Sequence, residues 1–395
     1  MPDLMDYLEW RGDLRFQEAP LCEVDNLIFC LLSYIDLDGI VPAPGKGSIS
    51  FRAAAAEYFF SHPESNNRPL GLIIPADILT LFRRMAHTNR FRELLLSGYT
   101  NEICKEREMQ FSALTIHLPN EELFVAFRGT DDTIVGWKED FNLSVMDEVP
   151  AQRKAADYLN QLDMTPEAHL YVGGHSKGGN LAVWGAVHAE ERVRARVKAA
   201  YSNDGPGFSE GTVSSEAYQA LRDRIHLFLP EDSLIGLLLE HDAGYTVVKS
   251  SSKGLFQHNG LSWSVLGGSF LRSEGLSPVG IRNDTVIRRR IAAMSLSERR
   301  ELIHMMFTIL EATGAKTLTD LHKGGAKTAL TLIKTYRDMP PEEQETAALL
   351  WDKLFGNSGE EKQTSNTESQ VKTSAVKKFR SKGRIRISFF PLLLP

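Results

Sequence analysis

The sequence predicts an α/β fold, in which a central and mostly parallel β-sheet is flanked by helices. From about residue 109, short runs rich in β-branched and aromatic residues alternate with segments of helical periodicity. This alternation is typical of parallel strands that are joined by helical crossovers. The chain has 395 residues, of which 42% are hydrophobic, so it can bury a large core.

The strands are predicted as follows. MQFSALTIHL and ELFVAFRG are separated by Pro-Asn-Glu, which indicates a β-hairpin. Four further runs are short and β-rich, and helical segments such as NLAVWGAVHAEER and SEAYQALRD lie between them. These four runs are AHLYVGG, VKAAYSND, RIHLFLP and YTVVKS.

Helical segments precede and follow the predicted sheet domain, which spans residues 109–275. Residues 1–108 are predicted to be a helical part packed on that domain, because VDNLIFCLLSYID, SISFRAAAAEYFFSH and PADILTLFRRMAH have helical spacing. Residues 276–356 are rich in Arg, Glu, Leu and Ala, and they predict a second helical segment.

The tail, residues 357–395, is polar and low in aromatic residues at first, which predicts disorder. A basic run then precedes the apolar end ISFFPLLLP, and such a pair could make weak peripheral contact with an anionic membrane surface. The alternative, a solvated tail, is favoured because charge runs are commonly solvated. The basic residues are Lys372, Lys377, Lys378, Arg380, Lys382, Arg384 and Arg386.

Composition excludes several classes of function. A net charge of −6 does not indicate a nucleic-acid partner. Three cysteines are too few for a disulfide framework, and the acidic N-terminus is unlike a signal peptide, so a cytoplasmic location is expected. The eleven histidines lack metal-ligand spacing, so neither a metal nor a cofactor is expected. The oligomeric state is not indicated.

The stretch YVGGHSKGGNLA, residues 171–182, carries the clearest chemical pattern. Gly174 to Gly178 satisfy G-x-S-x-G between a predicted strand and a predicted helix, which is the context of a nucleophile elbow. Such an elbow places Ser176 at the carboxyl end of a strand, where the N-terminus of the next helix favours developing negative charge. A glycine-rich turn of a nucleotide-binding fold is the alternative.

A serine hydroxyl requires a base, and a histidine oriented by a carboxylate is the usual one. In hydrolases built on such sheets, the chain order is Ser, then Asp or Glu, then His. Asp232 directly follows the strand RIHLFLP, and His258 lies in GLFQHNGLSW, which predicts the triad Ser176, Asp232 and His258. His241 is the alternative base.

These segments resemble the class 3 lipases, an α/β-hydrolase family, and an uncharacterised bacterial branch related to them. The resemblance covers about residues 1–270. It rests on FRGT at 127–130 followed by Trp137 and Asp140, on the elbow, on the Asp in PEDSLIG, and on a His that precedes Trp263. The phrases YLEWRGDLRF and SNDGPGF are typical of the branch.

The resemblance implies an α/β-hydrolase fold and an oxyanion hole formed by the backbone N–H of Lys177 and by the N–H, with or without the hydroxyl, of Thr130. Asp204 is the second candidate for the acid. Position 177 is commonly apolar in lipases, and a lysine there suggests a positive charge at the pocket mouth that suits an anionic acyl substrate.

Neighbouring residues have structural roles as the main expectation. His175 is expected to fill space within the sheet packing, and Arg128 to hold the oxyanion loop by hydrogen bonds. Trp137 and Phe141 lie one helical turn apart and line either an acyl site or the core.

The sequence therefore predicts a serine hydrolase that cleaves lipid-like or other acyl esters through an acyl-enzyme. Two alternatives stay open. An acyltransferase or thioesterase uses the same triad, and a non-catalytic binding protein can retain the scaffold.

Overall fold

The computed structural model describes residues 1–63, 70–72 and 74–355. Its main sheet has eight strands, which are hydrogen-bonded in the same order as they occur in the chain. They are β1 (Ser48–Ser50), β2 (Leu95–Cys104), β3 (Met109–Leu118), β4 (Glu122–Phe127), β5 (His169–His175), β6 (Val197–Asn203), β7 (Ile225–Pro230) and β8 (Thr246–Val248); β9 (Val265–Leu266) and β10 (Ser269–Phe270) form a separate hairpin.

Strand direction divides the sheet into two halves. The strands from β1 to β4 pair in antiparallel fashion, whereas those from β4 to β8 are all parallel. β3 and β4 form the predicted hairpin, whose turn contains Asn120 and Glu121 with positive φ angles of 60° and 57°. The predicted α/β class and the strands of the parallel half are confirmed.

Helices cover both faces of this sheet. In the described residues they are α1 (Leu4–Arg11), α2 (Glu23–Leu32), α3 (Phe51–Ser61), α4 (Asp77–Met85), α5 (Ile134–Asn142), α6 (Pro150–Asn160), α7 (Lys177–His188), α8 (Glu191–Arg194), α9 (Glu210–Val213), α10 (Glu216–Leu221), α11 (Pro278–Ala292), α12 (Leu296–Glu311), α13 (Leu318–Asp338) and α14 (Pro341–Phe355).

The helices on the two faces of the sheet come from different parts of the chain. A parallel sheet that grows in one direction through right-handed crossovers places its crossover helices on one face. α6, α7 and α10 accordingly share one core with inward residues such as Phe127 and Val172. The N-terminal helices α1 to α4 cover the opposite face, where they pack with the alternate strand residues, among them Phe124 and Ala126.

Strand β2 corrects the expectation that residues 1–108 are helical. It runs antiparallel to β3 with an irregularity between Ser97 and Thr100, and β1 extends the sheet by one short edge strand. β2 has the sequence LLSGYTNEIC, which contains a glycine and several polar residues. Its β-structure therefore depends on pairing with β3 more than on local preference.

The C-terminal helices form a third core with the outer side of the sheet domain. Met306, Phe307 and Leu310 of α12 pack with Ile134 of α5 and Leu350 of α14. Within α13 the backbone kinks at Gly325, which has a φ of 50°. In the part of the chain that the structure describes, no helix is both long and apolar enough to cross a membrane. The predicted tail, residues 357–395, lies outside the described residues.

Candidate active site

Ser176 stands in a strained turn between β5 and α7. Its φ and ψ are 58° and −134°, a conformation that a residue other than glycine adopts only when its surroundings enforce it. The turn closes tightly, because a Cβ atom on Gly174 would lie 2.0 Å from the carbonyl carbon of Gly178. Strand, strained serine and helix therefore form the predicted elbow geometry. Ser176 is half-buried, and within the described residues its hydroxyl has no hydrogen-bond partner.

His258 lies beside this elbow. It ends a 3₁₀ turn that spans Gly254–His258, and its ring centroid is 4.6 Å from that of His175, the residue before Ser176. Its Nδ1 is 2.6 Å from Oδ2 of Asp204, whose side chain is 1% exposed. An imidazole with Nδ1–H bound to a carboxylate presents Nε2 as a base, which is the arrangement of a histidine and its acid in a serine hydrolase.

The position of Asp204 explains this contact. Asp204 follows β6, the strand next to β5, and has a positive φ of 52°. Its other carboxylate oxygen accepts hydrogen bonds from the Ser233 hydroxyl and from the N–H of Gly236. The backbone here touches the elbow, because a Cβ on Gly205 would lie 2.6 Å from the carbonyl oxygen of Ser176.

Asp232 was predicted as the partner of His258, but the structure brings the carboxylate of Asp204, and not that of Asp232, to the imidazole. Asp232 follows β7, one strand further from the elbow, and its carboxylate faces other groups. It accepts hydrogen bonds from the N–H of Gly254 at 2.8 Å, from the Gln257 amide at 3.1 Å and from the Ser277 hydroxyl. Asp232 therefore holds the turn that leads to His258, whereas Asp204, the second candidate, touches the imidazole.

His175 connects the elbow to the turn Gly254–His258. Its Nε2 is 2.6 Å from the carbonyl oxygen of His258, so Nε2 must carry the proton, and Nδ1 then accepts from the Tyr34 hydroxyl at 3.1 Å. Burial, together with the neighbouring His258, lowers the pKa of His175 to about 3. The side chain is buried as expected, but it also fixes the backbone of His258.

The loop after β4 lies against the N-terminus of α7. A Cβ on Gly178 would lie 2.2 Å from the carbonyl oxygen of Phe127, so the two backbones are in direct contact. In the described residues, the N–H groups of Thr130 and Lys177 donate to no backbone acceptor. Two free N–H groups beside a serine are what an oxyanion hole requires.

The Thr130 hydroxyl is engaged elsewhere. It donates to the carboxylate of Asp140, so only the N–H of Thr130 remains for an oxyanion. Burial raises the pKa of Asp140 to about 6, although Lys177 and the Thr130 hydrogen bond both oppose that rise.

The side chain of Lys177 does not lie at a pocket mouth, which corrects the expectation of an exposed positive charge. It is 1% exposed, and its ammonium pairs with Glu139 at 2.9 Å. The lysine is the first residue of α7, and side chains on a helix lean towards its N-terminus, so that the ammonium reaches Gln110 and Glu139. The charge is therefore not available to a substrate.

Other candidates have structural contacts. His241, the alternative base, has its Nε2 2.6 Å from the carbonyl oxygen of Gly236, and burial lowers its pKa. Arg128 binds Asn101 and Asp131, as expected of a residue that holds the oxyanion loop. Trp137 and Phe141 pack in the core formed with the C-terminal helices, which favours the core role over the acyl site.

In the described ranges, no group of three or more His, Cys, Asp or Glu side chains is placed to hold a metal ion. The sequence reasoning missed Glu139 and Asn203. Asn203 donates to the carbonyl oxygen of Gly174 at 3.0 Å and is in turn bound by Asn26. Asn203 ends β6, the strand that pairs with β5, and this position is the feature of the sequence that could have indicated a contact with the elbow.

The chain matches the model of a known protein family. A family model described as Mbeg1-like, a lipase-like family, matches residues 85–308, more than half of the chain. The match includes the FRGT loop, the elbow, Asp204 and His258, and it ends within α12. No curated protein matches the chain.

Two similar solved structures are lipases. One is M37 lipase, with a TM-score of 0.33 and 15% identity over 53% of this chain and 68% of that one. The other is a fungal lipase in complex with an inhibitor, with a TM-score of 0.33 and 12% identity over 60% of this chain and 98% of that one. Likenesses this distant indicate nothing about the chemistry of the chain.

Proposed function

Because the chain belongs to the Mbeg1-like family, a lipase-like family with the α/β-hydrolase fold, we propose that it is a serine hydrolase that cleaves carboxylic esters. The main support is the hydrogen bond of 2.6 Å between His258 Nδ1 and Asp204 Oδ2, beside a serine with elbow geometry. The proposed triad is Ser176, His258 and Asp204.

Acylation follows from these positions. Ser176 Oγ attacks the ester carbonyl carbon while its proton passes to Nε2 of His258. Asp204 keeps Nδ1 protonated and stabilises the imidazolium that forms. The tetrahedral oxyanion accepts hydrogen bonds from the N–H groups of Thr130 and Lys177. The intermediate collapses when the alcohol leaves with the proton from Nε2, and an acyl-serine remains.

Deacylation repeats these steps with water. His258 takes a proton from the water, the hydroxide adds to the acyl carbon, and Ser176 leaves with the proton returned by Nε2. The Ser176 hydroxyl and His258 approach each other when substrate binds, because catalytic hydrogen bonds are often loose in free enzymes.

The proposed substrates are lipid-like or other acyl esters. Leu255 and Phe256 precede His258 and are 43% and 76% exposed, so apolar surface lies beside the proposed base. Exposed side chains of this size offer contact to an acyl chain more readily than to a charged group.

A fluorophosphonate probe tests the proposal. We expect the folded protein to be labelled at Ser176, with the adduct located by peptide mass spectrometry. Ser176→Ala should abolish labelling and lower the hydrolysis of p-nitrophenyl esters on the order of 10⁶-fold, because the nucleophile is lost.

Ser214→Ala is the matched control, since Ser214 is exposed and lies outside the proposed site. This variant should be labelled like the unaltered protein. A folded protein that the probe does not label, or labelling that survives in Ser176→Ala, would contradict a serine hydrolase and favour a binding protein.

A further inference from the structure

The ammonium of Lys177 is saturated with hydrogen bonds inside the protein. It donates to the backbone carbonyl oxygen of Gln110 at 3.0 Å, to the side-chain oxygen of Gln110 at 2.7 Å and to Glu139 at 2.9 Å. These three contacts use all three N–H groups of the ammonium. The side chain of the residue after the nucleophile is thus fixed to β3 and α5.

Glu139 is anchored as firmly as Lys177. Its side chain is fully buried, and its oxygens accept hydrogen bonds from the N–H of Gln110 at 3.0 Å and of Ala151 at 2.9 Å. The pair therefore joins α7 to β3, α5 and the start of α6. Removing two charges from water is costly, and apolar residues of similar volume are often as stable, so stability alone does not account for this pair.

The location of the pair indicates its role. Lys177 supplies one proposed oxyanion donor through its N–H, and Thr130 supplies the other. Glu139 binds the side chain of Lys177, and the adjacent Asp140 on the same helix accepts from the hydroxyl of Thr130. Consecutive carboxylates of α5 therefore hold the two residues that are proposed to donate N–H groups to the oxyanion.

We propose that Lys177 is a positioning residue of the oxyanion hole. Its ion pair with Glu139 sets the position of its own N–H relative to that of Thr130, with α5 as the rigid link between them. In lipases with an apolar residue at this position, packing alone would have to hold that N–H in place. The inference rests on the proposed function, because it concerns the oxyanion of that reaction.

The double variant Lys177→Met with Glu139→Gln tests the role. It removes both charges at similar volume, so it avoids the unpaired buried carboxylate that Lys177→Met alone would leave. We expect it to fold, with KM for a p-nitrophenyl ester nearly unchanged and kcat lowered about 10- to 100-fold, because the oxyanion donors shift. Affinity for a trifluoromethyl ketone, which forms an oxyanion with the serine, should fall in parallel with kcat.

Lys154 and Glu102 give a matched control. They form a half-exposed ion pair at 2.8 Å between α6 and β2, and Lys154→Met with Glu102→Gln should leave kcat unchanged. If the Lys177 double variant folds and keeps kcat within about twofold of the unaltered enzyme, in other words less than half a kcal/mol of barrier, the inference is overturned.

Glu139→Asp keeps the test decisive if the double variant does not fold. It retains both charges but withdraws the carboxylate by one methylene, and it should lower kcat several-fold with KM nearly constant. An unchanged kcat in this variant also overturns the inference. Failure of the proposed function is a separate observation, because the unaltered protein itself would then not react with the fluorophosphonate probe.

Discussion

Asp204 and Asp232 follow neighbouring parallel strands at the same edge of the sheet, yet only one of them touches the imidazole. Asp204 follows β6 and lies 2.6 Å from His258 Nδ1. Asp232 follows β7 and binds Gly254 and Gln257, in the turn before the histidine. One carboxylate thus contacts the ring, and the other contacts the backbone and amide of the loop that carries it.

Chain order alone therefore does not show which of the two carboxylates contacts the histidine. Both residues satisfy the order Ser, Asp, His, and both are placed by a strand end. The distance from the elbow decides between them, because β6 pairs directly with β5 and β7 does not. The turn after β7 still contributes, since Ser233 and Gly236 bind the second oxygen of Asp204.

Among the variants that test this comparison, Asp204→Asn should have the largest effect. The N–H of Gly236 is a fixed donor, so the asparagine oxygen should stay there and its NH₂ group should face His258 Nδ1. That arrangement favours the wrong imidazole tautomer, with Nε2 protonated and unable to act as a base. We expect kcat for ester hydrolysis to fall about 10⁴-fold with little change in KM. A loss below about tenfold would contradict the assignment of Asp204 as the acid.

Features encoded by local sequence were predictable. The elbow needs only adjacent residues: glycines on both sides of Ser176, a strand before it and a helix after it. The parallel strands β5 to β8 are short and rich in apolar and β-branched residues, so they could also be recognised. His258, which was proposed because it lies close before Trp263, is placed beside the elbow.

Features that depend on distant pairing were not predictable. Asp204 and His258 are 54 positions apart in the chain, and no local pattern ranks the contact between them above one with Asp232. The direction of the Lys177 side chain depends on Glu139 and Gln110, which come from other elements. β2 depends on pairing with β3, because its own residues include a glycine and exposed positions.

A medium effect is expected from His175, whose Nε2 binds the carbonyl oxygen of His258 and whose ring packs 4.6 Å from the His258 ring. Its pKa of about 3 lies below the usual 6.5, so the unfolded chain binds more protons between these values. The stabilisation from keeping His175 neutral is therefore complete above pH 6.5 and is lost as pH falls towards 3. As pH falls through that window, this group lowers the free energy of unfolding by up to about 1.4 kcal/mol for each pH unit.

His175→Gln provides the comparison, because its amide nitrogen can replace Nε2 as a donor but does not titrate. Denaturant unfolding of both proteins between pH 4 and 7 should show a shallower pH dependence for the variant. The raised pKa of Asp140 has the opposite effect on stability in this range, and it cancels in the difference between the two proteins. Parallel pH dependences would contradict a buried, neutral His175.

The smallest effect on kcat is expected from Asp232→Asn. Its contrast with Asp204→Asn separates the roles of the two carboxylates most clearly. The asparagine oxygen can still accept from Gly254 and Gln257, while its NH₂ group faces the Ser277 hydroxyl, which can reverse and accept. We expect kcat within about threefold of that of the unaltered protein and a loss of about 1 kcal/mol in the free energy of unfolding. Asp232→Ala removes every acceptor and should cost about 1–3 kcal/mol, since buried donors lose their partners. Steady-state kinetics and urea unfolding measure both effects, and a loss in Asp232→Asn as large as that in Asp204→Asn would return the acid role to Asp232.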